Sequence, residues 1–236
     1  MCGRMTQQTD TSDVARIFDA EIRDPQAHIE LGPRYNVAPT QPVAVVVQRD
    51  VGRFIELHRW GLVPAWSEKP ATRAAMINAR AETVAASAAF RTSFRRRRCI
   101  VPADGFYEWR RDGRARQPFL IKLRNAGLMA FAGVWAPWRD PVSGEWLLSC
   151  AVITTAANDT LRELHDRMPA ILRPDEWPTW LDPDVTEAGL LEHLLRPADD
   201  RLLALQPVGT RVNSALNEGP DLIEPYLPPE TATLFG

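Results

Sequence analysis

The 236 residues predict a single domain of α+β class, and two observations carry that expectation. Between Pro42 and Thr155, β-branched and apolar runs are separated by short turn signals, the pattern of hairpin-linked strands. Helical spacing occurs only in short segments, and no stretch reads as a linker between two domains. Apolar residues make up 45% of the chain and charged residues 25%, enough to bury a sizeable core.

Taken in order, Thr11 or Ser12 caps a helix to about Ala20, with Val14, Ile17 and Phe18 on one face. A polar, proline-bearing loop follows, and Gly32 to Pro39 then reads as turn and extended chain, because each proline disfavours helix before it. Pro42 to Gln48 and Phe54 to Trp60 pair around Asp50-Val51-Gly52. Trp60 to Trp66 is irregular, either buried aromatics or a stacking platform. Met76 to Thr83 leads into an alanine-rich helix to about Phe90. Arg95 to Arg98 is a charge run, ordinarily a solvated face. Cys99 to Pro102 and Phe106 to Trp109 are strands about the Ala103-Asp104-Gly105 turn, and Asp112-Gly113 marks a hairpin. Strands continue over Gln117 to Leu123, Leu128 to Trp135 and Trp146 to Thr155. Asn158 caps a helix through Leu164, which Pro169 stops. Trp177 to Leu181 and Thr186 to Leu195 read as helices, Leu202 to Val208 as a strand, and the remaining tail as irregular and peripheral after about residue 226.

Composition narrows the functional classes. No run approaches eighteen apolar residues, and the start lacks a signal-peptide pattern, so a cytoplasmic, nucleoid-associated protein without membrane contact is expected. Cys2, Cys99 and Cys150 are too widely spaced for a disulfide framework or a zinc site. His28, His58, His165 and His193 include no ligand-spaced pair, so neither metal nor cofactor is expected. Net charge is -2, yet residues 1–140 hold 22 Lys or Arg against 14 Asp or Glu, and residues 141–236 hold 6 against 16. Of the basic residues 26 are arginines, whose planar fork matches phosphate oxygens bidentately. An anionic partner such as nucleic acid fits this, as does an arginine-rich genome.

Cys2 directly follows the initiator methionine. A terminal cysteine offers a thiol (pKa of about 8.5) and an α-amine (about 7.7 to 8.0) on adjacent carbons. The amine condenses with an aldehyde and the thiolate then closes a five-membered ring on the same carbon, an intramolecular and therefore fast step. Gly3 leaves room beside it and Arg4 supplies a fixed charge. Position alone favours the alternative, an ordinary residue on a frayed terminus. Glu108 sits among three aromatics, where partial desolvation would raise its pKa for acid–base work, unless it lies on the solvent side of its strand.

Six segments in order change the weighting: Met1-Cys2-Gly3-Arg4, Arg34-Tyr35-Asn36-Val37-Ala38-Pro39, Trp60-Gly61, Asn78-Ala79-Arg80-Ala81-Glu82-Thr83, Pro102 to Trp109, and His165-Asp166-Arg167-Met168-Pro169. Together they resemble the SRAP (SOS response-associated peptidase) family from residue 2 to about Pro225. The resemblance implies a curved, barrel-like, mostly antiparallel sheet flanked by helices in one domain, 1–236. It further implies a monomer that crosslinks to abasic sites in single-stranded DNA through Cys2 once Met1 is removed, with lyase-like and peptidase-like character and with replication-fork proteins as further candidate partners. Under it Cys2 forms a thiazolidine with the opened sugar, Asn78 holds the terminus or the sugar, Glu108 shuttles protons and His165 assists ring opening and reversal. Arg4, Arg80 and Arg167 grip phosphates, and Asn36, Trp60, Trp66 and Trp109 join the DNA surface. Two departures stand out. Ala88 occupies a place where the family carries a phosphate-binding arginine, with Arg91 the nearest substitute, and Gln206 replaces a histidine.

Rival readings are an N-terminal-nucleophile amidotransferase, a non-covalent module for modified DNA, and a peptidase acting on other chains. Arg4 stands where the amidotransferases place an apolar residue, and the later segments do not fit them.

Overall fold

A computed structural model describes residues 2–22, 32–70, 76–112 and 115–226. The loop before Gly32 that carries His28, Gly113 of the expected hairpin and the tail beyond 226 lie outside the described residues.

The organising element is a closed ring of five strands: β4 (Pro42–Arg49), β5 (Gly52–Trp60), β7 (Arg98–Ala103), β10 (Met129–Arg139) and β11 (Trp146–Ala156). Four junctions are antiparallel, and the ring closes where β11 meets β5 in parallel, Ser149 opposite Arg59 and Cys150 opposite Trp60. Closure removes free edges, which the apolar runs of these strands require. A second sheet runs in the order β13 (Leu203–Pro207), β9 (Ala115–Leu123), β8 (Gly105–Asp112), β1 (Met5–Gln7), β3 (Arg34–Val37). The expected α+β, barrel-like, mostly antiparallel architecture is what the chain adopts.

Both faces of the ring are covered, so its strands read as continuous apolar runs. Ala44, Val46, Ile100, Ala132 and Ile153 pack with Val14 and Phe18 of α1 (Thr11–Phe18) and with Trp180 and Leu181 of α4 (Trp177–Leu181). Val43, Val45, Val47, Cys99, Phe131 and Val152 pack with Met5, Val37, Phe106 and Ile121 of the second sheet. At Gly133 the strands approach so closely that a Cβ would lie 2.9 Å from Cys99 Sγ and 3.2 Å from Val101 Cγ2. Asp104 is where the chain passes from one sheet to the other, and its carboxylate fastens the start of the chain by accepting from the amides of Gln8 (2.5 Å) and Thr9 (3.1 Å).

Three local expectations are corrected. Asp10, rather than Thr11 or Ser12, caps α1 through the Ser12 amide. The alanine-rich stretch to Phe90 forms turns that mix three- and four-residue hydrogen bonds, and regular helix is confined to α2 (Arg91–Arg96). The arginine run is not uniformly solvated: Arg98 is 3% exposed and donates to the carbonyls of Phe94, Arg95, Trp180, Asp182 and Val185. Burial lowers its pKa to about 10, and the five carbonyl dipoles replace lost water. Between β11 and α4 lie α3 (Asp159–Arg162) and β12 (Arg167–Pro169), and α5 (Ala188–His193) follows α4.

Candidate active site

Strand β11 assembles most of the site. Along its second half, β6 (Asn78–Arg80) pairs in parallel, Val152 opposite Asn78 and Thr154 opposite Arg80. Beyond it β12 pairs antiparallel, Ala156 opposite Arg167. Segments separated by nearly ninety residues thus present Asn78, Arg80 and Arg167 around one stretch of backbone. The second sheet contributes the rest. Met5 opposes Phe106 and Thr6 opposes Gly105, so continuing that register places Arg4 opposite Tyr107, where the Tyr107 amide donates to the Arg4 carbonyl at 2.9 Å, and Gly3 opposite Glu108.

Cys2 is fully buried, and Asn78 Nδ2 donates to its carbonyl at 2.9 Å. Asn78 Oδ1 is buried with no hydrogen-bond partner. Burial pushes the Cys2 thiol far up from its ordinary pKa, and the nearby Glu108 carboxylate adds to the shift. Glu108 is 4% exposed, and its pKa is raised, first by burial and then by the charge of Asp166, while the Trp109 amide donating to it opposes the rise. These couplings link Cys2 to Glu108 and Glu108 to Asp166, the neighbour of His165. His165 Nδ1 accepts from the Arg167 amide at 2.9 Å and lies 2.8 Å from Asp166 Oδ1. An amide can only donate, so the neutral ring carries its proton on Nε2, and protonation of Nδ1 would exchange the amide for the carboxylate.

Arg167 is held in a fork by Glu82, NH1 to Oε1 at 2.6 Å and NH2 to Oε2 at 2.9 Å, with NH2 also on the Thr154 carbonyl at 2.6 Å. Arg80 is exposed beside it and lowers the Glu82 pKa together with Arg167. Arg4 NH1 donates to Asn36 Oδ1 at 2.6 Å and to the Val212 carbonyl at 2.8 Å, and its guanidinium lies 5.9 Å from the centre of the Trp109 ring. Trp66 is 68% exposed on its loop.

Two proposed DNA contacts are corrected by burial. Trp60 is fully buried and gives its indole N–H to the Ile77 carbonyl, so it fills core and offers no face to a base. Asn36 is 1% exposed, its Nδ2 donating to the carbonyls of Ser214 (2.9 Å) and Asn217 (2.8 Å), so it orients Arg4 and a C-terminal loop. Residue-by-residue reading had no signal for Glu82 as the partner of Arg167, and none for Asn213, whose Oδ1 accepts from Trp109 Nε1 at 2.7 Å. Asp166 stood in a quoted segment without a role. Among the described residues no group of three or more His, Cys, Asp or Glu could hold a metal ion, and no helix is long and apolar enough to cross a membrane.

The fold and the placement of Cys2 define a class: single-domain α+β proteins that bury a cysteine close to Asn78 at the meeting of two sheets. The chain belongs to the SOS response associated peptidase (SRAP) family, whose model matches residues 1–215. It is similar to the abasic site processing protein YoqW of Bacillus subtilis, 38% identical over 227 residues, 96% of this chain and 100% of that one. The abasic site processing protein YedK of Escherichia coli is 31% identical over 230 residues, 95% of this chain and 100% of that one. A solved structure from Bacteroides thetaiotaomicron shares the fold with a TM-score of 0.85 at 24% identity, covering 96% of this chain and 100% of that one.

Proposed function

We propose that this protein captures abasic sites in single-stranded DNA as a covalent thiazolidine at Cys2, shielding the lesion. The observation that carries the reading is the hold on residue 2: Asn78 donates to its carbonyl, and the charge of the buried Glu108 acts on its thiol. The names of the relatives, abasic site processing proteins, supply the substrate class.

Hydrolysis of the Met1–Cys2 amide, by the protein itself or by an aminopeptidase, frees the α-amine. His165 promotes opening of the abasic sugar to its aldehyde. The amine attacks that carbon, and loss of one water, with its oxygen protonated by Glu108, leaves the imine. The Cys2 sulfur then bonds to the imine carbon, and the thiol proton ends on the nitrogen, which becomes the ring amine. Glu108 suits this relay because burial makes its carboxyl hold a proton to higher pH than an ordinary glutamate, and because a thiol held neutral by burial needs an acceptor. Reversal runs through the same imine and accounts for lyase-like behaviour. Arg4, Arg80 and Arg167 take phosphates, Trp66 and Trp109 take bases, and a site already lacking its base costs little to unstack. The same reading makes the protein a cytoplasmic, nucleoid-associated monomer on strands exposed near replication-fork proteins.

The test is a denaturing gel of purified protein with a single strand carrying one abasic site. A denaturation-resistant complex is expected, with a mass equal to protein lacking Met1 plus DNA minus one water, and none with Cys2→Ala. Salt-reversible binding alone in the wild-type protein would overturn the covalent reading, and glutamine hydrolysis would favour the amidotransferase.

A further inference from the structure

The loop after β13 is fastened to the site at several points that the capture chemistry leaves unexplained. Val212 is fully buried, and its carbonyl accepts from Arg4; Ser214 and Asn217 accept from Asn36; Asn217 Nδ2 turns back to the Arg211 carbonyl at 2.7 Å. Asn213 therefore sits on a pinned backbone, with its side chain exposed and its Oδ1 on the Trp109 indole. The indole is half-buried, tilted 42° against Tyr107 at 6.5 Å between ring centres, with the Arg4 guanidinium over it.

A hydrogen bond between two side chains in this exposed setting adds little to stability. What it does fix is direction. Without it the indole can turn about its side-chain bonds, away from the guanidinium that Asn36 and the Val212 carbonyl hold in place. Arg4 NH2 makes no hydrogen bond among the described residues, so the indole edge and that amino group together present an aromatic surface and a cation. This combination suits a stacked nucleotide with its phosphate. Trp109 and Glu108 are successive strand residues and project from opposite faces of β8, so the indole is separate from the groups that act on Cys2.

We propose that Asn213 is a positioning residue: by accepting the Trp109 indole N–H it sets Trp109 and Arg4 as one platform for the nucleotide next to the captured lesion. The identity of the ligand rests on the abasic-site reading above, but the platform itself does not depend on the covalent step.

Fluorescence anisotropy tests this with single strands in which a tetrahydrofuran replaces the abasic sugar, so that no aldehyde is available for crosslinking. Three strands are compared, with both neighbouring bases present, or with the 5′ or the 3′ neighbour also a tetrahydrofuran. For the wild-type protein, loss of one of the two neighbours is expected to weaken binding about fivefold or more. Asn213→Ala should weaken the complete strand by a similar factor and remove the distinction between the strands. Asn213→Asp, which keeps an acceptor for the indole, should restore the ratio even if added charge weakens every strand. Trp109→Phe keeps a ring but lacks the N–H, so adding Asn213→Ala to it should change nothing further. A wild-type ratio preserved in Asn213→Ala, or no dependence on either neighbour in the wild-type protein, overturns the proposal. Failure of covalent capture on the denaturing gel would remove the Cys2 chemistry and leave these ratios standing.

Discussion

Asn78 and Cys2, 76 positions apart in sequence, are joined by a 2.9 Å hydrogen bond from the side-chain amide to the backbone carbonyl, while Asn78 Oδ1 stays buried and unmatched. An acceptor left buried without a donor costs free energy unless a donor arrives, and an amine or sugar hydroxyl brought in with substrate would supply one. Asn78→Ala is expected to slow single-turnover capture about tenfold, the size of one neutral hydrogen bond, and to lower stability by about 1 to 3 kcal/mol because the buried Cys2 carbonyl loses its donor. An unchanged rate would remove Asn78 from the site.

Glu108 predicts the pH profile. Its raised pKa, caused first by burial, means that the carboxyl keeps its proton to higher pH than an ordinary glutamate. Capture that needs this proton should decline as pH rises through that value, and Glu108→Gln should slow capture about a hundredfold and flatten the limb. The folded state disfavours the ionised form, so stability should also fall as pH rises from the ordinary 4.5 through the raised value, and Glu108→Gln should abolish the fall. Rate and melting temperature measured across pH check both.

Salt dependence separates the two arginines beside β11. Arg80 is exposed, whereas the Arg167 fork is already filled by Glu82. Arg80→Ala should reduce the slope of log affinity against log salt by about 0.7, the single-strand value for one phosphate, and Arg167→Ala by less. Equal reductions would mean that Glu82 yields to phosphate.

Acid sensitivity follows from a buried network in the ring. Arg49 grips Glu56 (Nε to Oε1 at 2.9 Å, NH2 to Oε2 at 2.6 Å) and lies 4.4 Å from the centre of the Trp135 ring, while His58 Nε2 meets Glu56 Oε2 at 3.0 Å. Burial lowers the His58 pKa, so its neutral form stabilises the fold above its ordinary 6.5, and this is lost as pH falls below that value. Glu56 is lowered to about 2 by His58 and Arg49, against the opposing effect of burial, so its share is present above its ordinary 4.5 and lost from there down to about 2. Melting temperature should therefore drop in two steps on acidification, with Glu56→Gln removing the second.

Gly133→Ala should destabilise by roughly 1 to 3 kcal/mol, because the new methyl enters space held by Cys99 and Val101 on a neighbouring strand. Urea denaturation measures it. The double variant with Cys99→Ala should recover part of the loss, since it removes the nearest of the clashing atoms.

The strands were legible because hairpin turns and apolar runs are local signals: Pro42–Arg49, Gly52–Trp60 and Trp146–Ala156 match expectation to within a few residues. The parallel seam between β5 and β11 left no such mark, since it joins Arg59 to Ser149 with no turn between them. Composition could not separate a solvated arginine from Arg98, which differs from its neighbours only in the carbonyls that surround it. Trp60 and Trp66 stand six residues apart in one aromatic loop, yet the first is core and the second surface, a distinction made by Ile77 and Cys150 rather than by either tryptophan. Of the candidate site, the residue types were readable one by one, and their grouping depends on pairings between β6, β11 and β12 that span the chain.

Strand β1 lies between β3 and β8 in its sheet and therefore waits for partners made after it. At about 5 to 20 residues per second, its neighbour at Phe106 emerges roughly 5 to 20 s later, and β12 later still. For that interval the Cys2 sulfur lacks the cover that burial later gives it, so a nascent chain is open to oxidants to a degree the finished protein is not. Translation speed between β1 and β8 then becomes a determinant of how many molecules mature with Cys2 unmodified.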